Sequence, residues 1–152
     1  MQVSPPVRST HSFVQRLTGP SHEVFPLLCP VLEKEWAKGW DPLVVISRSG
    51  VAERDCVFTT RDDGREATWI VTEHDPVSHQ VEMLKVIPGF TVTRLRIGLR
   101  PAGPERCEAD VTYTWTALSR EGESFVAGRT EQAWATFMRE WEDELNTYLR
   151  AR

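Results

Sequence analysis

The sequence predicts a single α+β domain in which a seven-stranded antiparallel sheet wraps around one long C-terminal helix, with two short helices after the first strand. Three observations predict this fold. Residues 41–117 contain six runs rich in β-branched and aromatic residues, separated by short turn-forming segments. One similar run precedes them at residues 11–17. Beyond residue 118 the apolar spacing changes from two residues to about 3.6, the period of an amphipathic helix.

The chain length of 152 residues fits one domain. Residues 1–10 are rich in proline and serine and are predicted to form a flexible tail, which leaves residues 11–152 as the domain. No apolar run is long enough to span a bilayer, and the N-terminus lacks the apolar core of a signal peptide. We therefore expect a cytoplasmic protein without stable membrane insertion.

Composition narrows the classes of partner. The net charge of −4 argues against nucleic acid, which usually binds a basic face. The three cysteines are widely spaced and contain no CxxC pair, so we expect reduced, partly buried thiols. The four histidines lack metal-ligand spacing, and no phosphate-binding loop occurs. No metal or cofactor is predicted, and homodimerisation is left open.

The first strand, residues 11–17, places three residues on one face if it is extended: Phe13, Gln15 and Leu17. Ser21 is the predicted N-cap of the first short helix, which Pro26 disturbs and Pro30 ends. A second short helix is predicted over residues 31–36.

The six strand-like runs are LVVIS, CVFTT, ATWIVTEH, QVEMLKVI, TVTRLRIGL and CEADVTYTWTA. Because only short turns join them, they predict an antiparallel meander. The last run alternates most regularly. Its apolar face consists of Ala109, Val111, Tyr113 and Trp115, and threonines dominate the other face.

The C-terminal helix is predicted over residues 120–150, with Ser119 as a cap and with Gly122 and Gly128 as weak points. Its apolar stripe consists of Trp134, Phe137, Met138, Trp141, Leu145, Tyr148 and Leu149. A straight helix cannot follow a strongly twisted sheet along its whole length. We therefore expect a cavity between the helix and the sheet.

Two parts of the chain resemble a known superfamily. The segment EVFPLLCPVLEKEWAKGWD followed by SGVAERDCVFTT, together with TYTWTALSREGESFVAG and FMREWEDELNTYL, resembles the START-like, helix-grip proteins of the SRPBCC superfamily. The similarity is greatest to small bacterial SRPBCC-domain proteins described as polyketide cyclase- or dehydratase-like, and it extends over residues 12–150. The resemblance implies the helix-grip fold and a deep hydrophobic pocket between the sheet and the long helix. The resemblance does not imply any particular catalytic residues in this chain.

Nine residues are candidates for ligand binding: Trp36, Trp40, Phe58, Trp69, Tyr113, Trp115, Trp134, Phe137 and Met138. In EKEWAKGWD, the two tryptophans either lie at the pocket mouth or fix the segment to the sheet, while the charged residues face water. The remaining tryptophans belong to the core or contact a ligand, and Trp141 is assigned to the core. The Tyr113 hydroxyl needs a hydrogen-bond partner, which a ligand oxygen, the backbone or water could supply.

The catalytic residues are unknown, and few ionisable groups are placed to act in a pocket. Arg94 and Arg96 are predicted to face outward. His74 is a candidate base, although its position at a strand end favours solvent. Glu82 and Lys85 lie on opposite faces of one strand, so one of them must lean inward or lie at a strand end.

Three functions compete. The leading one is binding of a hydrophobic small molecule, lipid-like or aromatic and polyketide-like, in the cavity. The first alternative is an aromatase/cyclase or dehydratase-type enzyme, which would need one of His74, Glu82, Lys85 or Tyr113 inside the cavity. The second alternative is a chaperone-activator-like protein-interaction module, which would need an exposed apolar patch.

Overall fold

The computed structural model describes residues 1–152 and contains the predicted seven-stranded antiparallel sheet. The strands are β1 (Arg8–Leu17), β2 (Val44–Ile46), β3 (Val57–Asp62), β4 (Arg65–Asp75), β5 (Gln80–Ile87), β6 (Thr91–Pro101) and β7 (Cys107–Ala117). The helices are α1 (Ser21–Val24), α2 (Arg120–Ala127) and α3 (Glu131–Arg150). Two 3₁₀ turns, Phe25–Leu27 and Leu32–Glu35, lie between β1 and β2.

The sheet is a meander from β2 to β7, and β1 closes it by pairing with β7. The strand order is therefore β1-β7-β6-β5-β4-β3-β2, with β1 and β2 at the two edges. The β4–β5 register shifts between Val71 and Glu73. Such irregularities bend a strand and increase its twist, which helps the sheet to curve around a helix.

The inner face of the sheet consists of side-chain rows that run across the strands. One row contains Phe58, Trp69, Lys85, Thr93 and Trp115, which are paired from β3 to β7. The next row contains Val71, Met83, Leu95 and Tyr113. Arg94 and Arg96 are exposed on the opposite face, as predicted. Of the two charges in β5, Lys85 points inward, whereas Glu82 points outward and pairs with Arg96.

Buried amide side chains attach α3 to β1. The Gln15 side chain is 1% exposed, and its Nε2 donates a hydrogen bond to the carbonyl of Met138 at 3.1 Å. Asn146 accepts from the backbone N–H of Thr18 at 2.9 Å and donates to the carbonyl of Arg16 at 2.9 Å. Because each amide is satisfied by backbone across the gap, these bonds fix both the distance and the register of α3 along β1.

The opposite side of α3 contacts the segment that precedes β2. Trp36 is buried, stacks on Trp141 with ring centroids 5.7 Å apart, and donates its indole N–H to the carbonyl of Leu27 at 3.1 Å. The backbone N–H of Lys38 donates to Glu144 at 2.9 Å. The helix thus bridges from β1 to this segment and spans the curved sheet between them.

Three boundaries differ from the sequence prediction. The single helix over residues 120–150 is wrong, because Gly128 ends α2 and Thr130 starts α3 by accepting a hydrogen bond from the N–H of Ala133 at 3.1 Å. The apolar period continues across this break, so periodicity alone did not reveal it. Ser21 does not cap α1. Pro20 occupies the N-cap position, and Ser21 is the buried first residue of the helix. The first strand begins at Arg8, before the predicted start at residue 11.

Cys29, Cys56 and Cys107 are free, as predicted, and all three are buried. None of the helices has the length and apolar character required to cross a membrane.

Gly122 and Gly128 make a matched pair for a stability test. A Cβ at Gly122 would lie 2.0 Å from the backbone carbonyl oxygen of Phe90, whereas one at Gly128 would meet nothing closer than 3.4 Å. We expect Gly122→Ala to lower the free energy of unfolding by about 3 kcal/mol, because the backbone must move. Gly128→Ala should change it by less than about 1 kcal/mol. Urea denaturation measures both; equal values for the two variants would contradict the close contact.

Candidate functional site

A cavity of about 280 Å³ lies between α3 and the inner face of the sheet. Its floor is formed by five sheet residues, Phe58, Trp69, Met83, Leu95 and Tyr113. Its roof is formed by four residues of α3, Phe137, Glu140, Trp141 and Glu144. Its side is formed by the segment from Pro30 to Trp40. The cavity is close to the lower end of the range of small-molecule sites, roughly 300–1,000 Å³.

One wall of the cavity is aromatic. Trp40 meets Phe58 and Trp69 edge-on, with ring centroids 6.1 and 6.0 Å away, and Phe58 stacks on Trp69 at 5.2 Å. The Trp40 indole N–H donates to the carbonyl of Pro30 at 2.8 Å, and that of Trp69 donates to the Thr60 hydroxyl at 3.0 Å. Because both N–H groups are satisfied by the protein, this wall offers a ligand mainly apolar surface.

Glu33 brings a carboxyl group into this apolar space. It lies in the 3₁₀ turn Leu32–Glu35, and its backbone is held by hydrogen bonds to Cys29 and Ala37 at 2.8 and 2.7 Å. The residue is half-buried, and its carboxyl group has no hydrogen bond or ion pair within the protein. Burial raises the pKa of Glu33 from 4.5 to about 8, so the group is largely protonated at neutral pH.

The Tyr113 hydroxyl is the second polar group in the cavity. The strand β7 directs the ring inward, where it packs on Trp134 with centroids 4.4 Å apart. The hydroxyl forms no hydrogen bond within the protein. Burial and the nearby carboxylates of Glu33 and Asp62 raise the Tyr113 pKa well above its ordinary value, so the hydroxyl remains a neutral donor.

A second cavity of about 160 Å³ adjoins the first. The two share Tyr113 and Phe137, and Phe137 is 50% exposed on α3. The remaining lining of the second cavity consists of Lys85, Trp115, Phe125, Arg129, Ala133 and Trp134. Lys85 pairs with Asp62 and lies 4.9 Å from the centre of the Trp69 ring. The main cavity and the second cavity therefore meet beneath Phe137.

The nine candidate residues fall into three groups. Those at the main cavity are Trp40, Phe58, Trp69, Tyr113 and Phe137. Trp115 and Trp134 line the second cavity, together with Tyr113 and Phe137. Trp36 and Met138 are buried and line neither cavity, since Trp36 packs behind Trp141 and Met138 faces Gln15 of β1. Of the two tryptophans in EKEWAKGWD, only Trp40 thus reaches the cavity.

Four candidates for proton transfer are distributed between the cavities and the outside. Tyr113 lines both cavities and Lys85 lines the second. Glu82 lies outside, bonded to Thr72 and Arg96. His74 also lies away from the cavities. It is half-buried against Phe25 with ring centroids 5.1 Å apart, and burial lowers its pKa.

The sequence interpretation missed two cavity residues of importance. Glu33 was grouped with the water-facing charges of EKEWAKGWD, and Trp141 was assigned to the core. A signal for Glu33 was present: Glu33, Ala37 and Trp40 are spaced i, i+4, i+7, which places them on one side of a helical segment. The neighbouring charges do face water, where Lys34 pairs with Asp41 at 3.0 Å.

The acidic residues at the roof of the cavity are not arranged to bind a metal ion. Glu140 is exposed at the roof, and Glu144 accepts the Lys38 N–H. No group of three or more histidine, cysteine or acidic residues is close enough to hold a metal ion.

Comparisons with known proteins identify the fold by structure alone. No protein-family model matches the chain, and no curated protein matches its sequence. Among solved structures, norcoclaurine synthase from Thalictrum flavum is similar with a TM-score of 0.70 and 11% sequence identity, over 97% of this chain and 89% of that chain. A START superfamily protein from Mycobacterium smegmatis has a TM-score of 0.67 and 11% identity, over 93% and 97% of the two chains.

A third similar structure is the di-domain ARO/CYC BexL from the BE-7585A biosynthetic pathway. It has a TM-score of 0.64 and 13% identity, over 94% of this chain and 46% of that chain. At these identities the similarity shows the fold and not the activity. The chain has the helix-grip fold of START-like, SRPBCC proteins, as the sequence predicted.

The raised pKa of Glu33 predicts a specific pH dependence of stability. Below pH 4.5 the group is protonated in both states; between pH 4.5 and 8 the unfolded chain releases the proton while the folded chain keeps it. The folded state therefore loses stability over this interval. We expect Glu33→Gln to remove that loss and to be more stable than the wild type at pH 9 by up to about 5 kcal/mol, at 1.36 kcal/mol for each pH unit between 4.5 and 8.

Urea denaturation at pH 5, 7 and 9 measures this difference. Glu105→Gln, which changes an exposed carboxylate between β6 and β7, is the matched control and should follow the wild type at every pH. A constant difference between Glu33→Gln and the wild type across the three pH values would show that Glu33 ionises normally.

Proposed function

We propose that this protein binds a hydrophobic small molecule, aromatic or lipid-like, in the cavity beneath α3. The observation that carries the proposal is the aromatic wall of Trp40, Phe58 and Trp69, whose rings face a space of about 280 Å³. Concave sites with apolar walls and few polar groups are typical of small-molecule binding. The similar structures support the same general role, because they include a synthase and an ARO/CYC protein.

The arrangement of α3 supports this role. A helix that packed tightly over the sheet would fill the space with its apolar stripe. Here Phe137 remains half-exposed, and Trp141 is directed toward Trp36 and the cavity edge. Native mass spectrometry of the protein purified from its host, followed by extraction, would identify a retained compound directly. Only a ligand-free mass, together with no binding of added apolar compounds, would contradict the proposal.

Trp36 and Trp40 should respond differently to substitution by alanine. Trp40→Ala removes part of the cavity wall, so we expect affinity for 2-naphthalenemethanol, an uncharged aromatic probe, to fall at least about tenfold, with the free energy of unfolding lowered by no more than about 2 kcal/mol. Trp36→Ala removes a buried side chain outside the cavity and should lower that free energy by about 3–5 kcal/mol.

Isothermal titration calorimetry gives the affinities, and urea denaturation gives the stabilities. If Trp40→Ala bound the probe as tightly as the wild type, the aromatic wall would not be the binding surface.

A second candidate function is an enzyme of the cyclase or dehydratase type. It is favoured by the pair Glu33 and Tyr113, which supplies one carboxyl group and one hydroxyl to the same apolar cavity, both without partners in the protein. A carboxyl group whose pKa lies near neutrality can both accept and donate a proton. A phenol that remains protonated can donate a hydrogen bond to a developing oxyanion.

A simple proton-transfer substrate tests this candidate without knowledge of the natural one. In 5-nitrobenzisoxazole, a base removes the C3 proton while the ring N–O bond breaks, and a cyanophenolate is released. We expect a protein-dependent rate that rises with pH through about 8, as Glu33 ionises. Glu33→Gln should abolish this rate, and Tyr113→Phe should lower it about tenfold. A rate unaffected by Glu33→Gln would exclude Glu33 as the base.

A further inference from the structure

Two hydrogen-bond donors at the second cavity have no acceptor in the protein. The indole N–H of Trp134 is buried and without a partner, and the same is true of the Nε–H of Arg129. Both residues line the second cavity. Buried polar groups in folded proteins are almost always hydrogen-bonded, and each unsatisfied one costs roughly 1–3 kcal/mol. Two such donors beside one cavity therefore indicate a missing acceptor.

The indole of Trp134 differs from those of Trp36, Trp40 and Trp69. Trp36, Trp40 and Trp69 each donate the indole N–H to an oxygen atom of the protein, at 2.8–3.1 Å. Trp134 is just as buried, being only 5% exposed, but its N–H remains free. Its ring is held between Tyr113 and Trp115, with centroids 4.4 and 5.2 Å away, so the donor cannot easily turn elsewhere.

Arg129 supplies a positive charge at the same place. It lies in the break between α2 and α3, where its guanidinium group stacks on the Phe125 ring at 4.4 Å. Its backbone carbonyl is hydrogen-bonded to the His11 ring at 2.5 Å, which fixes the main chain. No carboxylate forms an ion pair with Arg129. The acidic group on this side, Asp62, already pairs with Lys85.

The polar groups of the main cavity are compatible with an anion next to them. Tyr113 lies between the two cavities and offers a neutral hydroxyl. Glu33 is largely protonated at neutral pH, so it adds a donor and little negative charge. Glu144 already accepts the Lys38 N–H at the opposite end of the roof. The donors without a partner are thus concentrated near Tyr113, where the charge of the nearby Asp62 carboxylate is offset by Lys85.

We propose that the second cavity is a subsite for the carboxylate of an acidic ligand, with Arg129 and Trp134 as its donors, while the apolar body of the ligand occupies the main cavity. The inference rests on the proposed binding function and names the class of ligand: an aromatic or other apolar carboxylic acid. Arg129 supplies the charge, Trp134 supplies a fixed direction, and the Tyr113 hydroxyl can donate to the second carboxylate oxygen. A guanidinium group is well suited to a planar carboxylate.

Three probes of one shape separate the alternatives: 2-naphthoate, 2-naphthalenemethanol and 2-naphthylmethylammonium, each titrated by calorimetry at pH 7. We expect 2-naphthoate to bind at least about tenfold more tightly than the alcohol, and the ammonium compound to bind most weakly, because a charge-assisted hydrogen bond is worth at least about a tenfold change in affinity. An equal affinity for the anion and the alcohol, or a preference for the ammonium compound, would overturn the inference.

Variants connect the preference to its residues. Arg129→Gln should remove the preference for 2-naphthoate over the alcohol. Trp134→Phe should reduce the preference about threefold or more, because the ring is kept but the N–H is lost. Arg120→Gln removes the same charge from an exposed residue of α2 and should bind all three probes as the wild type does. Circular dichroism confirms that each variant is folded.

Outcomes for the two proposals are distinguishable. If the wild type binds none of the three probes, the proposed function fails and the subsite fails with it. If it binds the alcohol but shows no preference for the anion, the cavity binds ligands and only the subsite is wrong. Should Arg129→Gln not fold, Arg129→Lys retains the charge but not the fork of donors, and we expect a weakened preference. An unchanged preference in both Arg129→Lys and Trp134→Phe would overturn the assignment.

Discussion

The attachment of α3 to β1 by buried amides is the constraint on which the cavity depends. Gln15 and Asn146 each hydrogen-bond to backbone across the gap between helix and strand. Unlike apolar contacts, these bonds require a narrow range of distances and angles, so they hold the helix at one height. Without them, the apolar stripe of α3 would gain most by settling onto the sheet. The contacts of α3 with β1 therefore set how far the helix lies from the sheet, and this distance leaves the cavity between them.

The polar groups inside that space show what the fold leaves unsatisfied. Glu33, Tyr113, Arg129 and Trp134 carry donors or charges that the protein itself does not pair. Each one makes folding less favourable than an apolar residue of similar size would. Other buried polar side chains are hydrogen-bonded within the protein, as the indole of Trp69 and the amide of Gln15 illustrate. The hydroxyl of Ser21 is an exception away from the cavities, but these four groups lie around two adjoining cavities, and this grouping favours a role in binding over a local packing defect.

Most of the fold could be predicted from the sequence because it depends on periodicity. The alternation in β7 placed Tyr113 on the inner face, and the short turns fixed the order of the meander. Gly128 was identified as a weak point of the helix, but a break there was not predicted, because the apolar residues on its two sides remain in phase and only Gly128 and the cap at Thr130 mark it. The fold was therefore more readily predicted than its exact helix boundaries.

The site was less accessible to sequence reasoning. Which aromatic residues face a void depends on how far α3 stands from the sheet, and hydrogen bonds between residues more than 100 positions apart decide that distance. Trp36 and Trp40 look alike in sequence, but one is enclosed behind Trp141 and the other faces the cavity. Glu33 was overlooked because a charge in a polar run normally faces water. The side chain of Glu33 points inward because of the 3₁₀ turn, and a short polar segment carries little sequence signal for such a turn.

The two margins of α3 are held unequally, and this has a consequence for movement. The β1 margin is fixed by buried amides. The opposite margin relies on stacking of Trp36 against Trp141 and on exposed hydrogen bonds that Glu144 accepts from the Lys38 N–H and Glu35 accepts from the Tyr148 hydroxyl, which water can replace. Exposed polar contacts are the weaker kind. Separating α3 from the segment around Lys38 should therefore require less free energy than separating it from β1, so an opening of the cavity between Lys38 and Glu144 is favoured over one at β1.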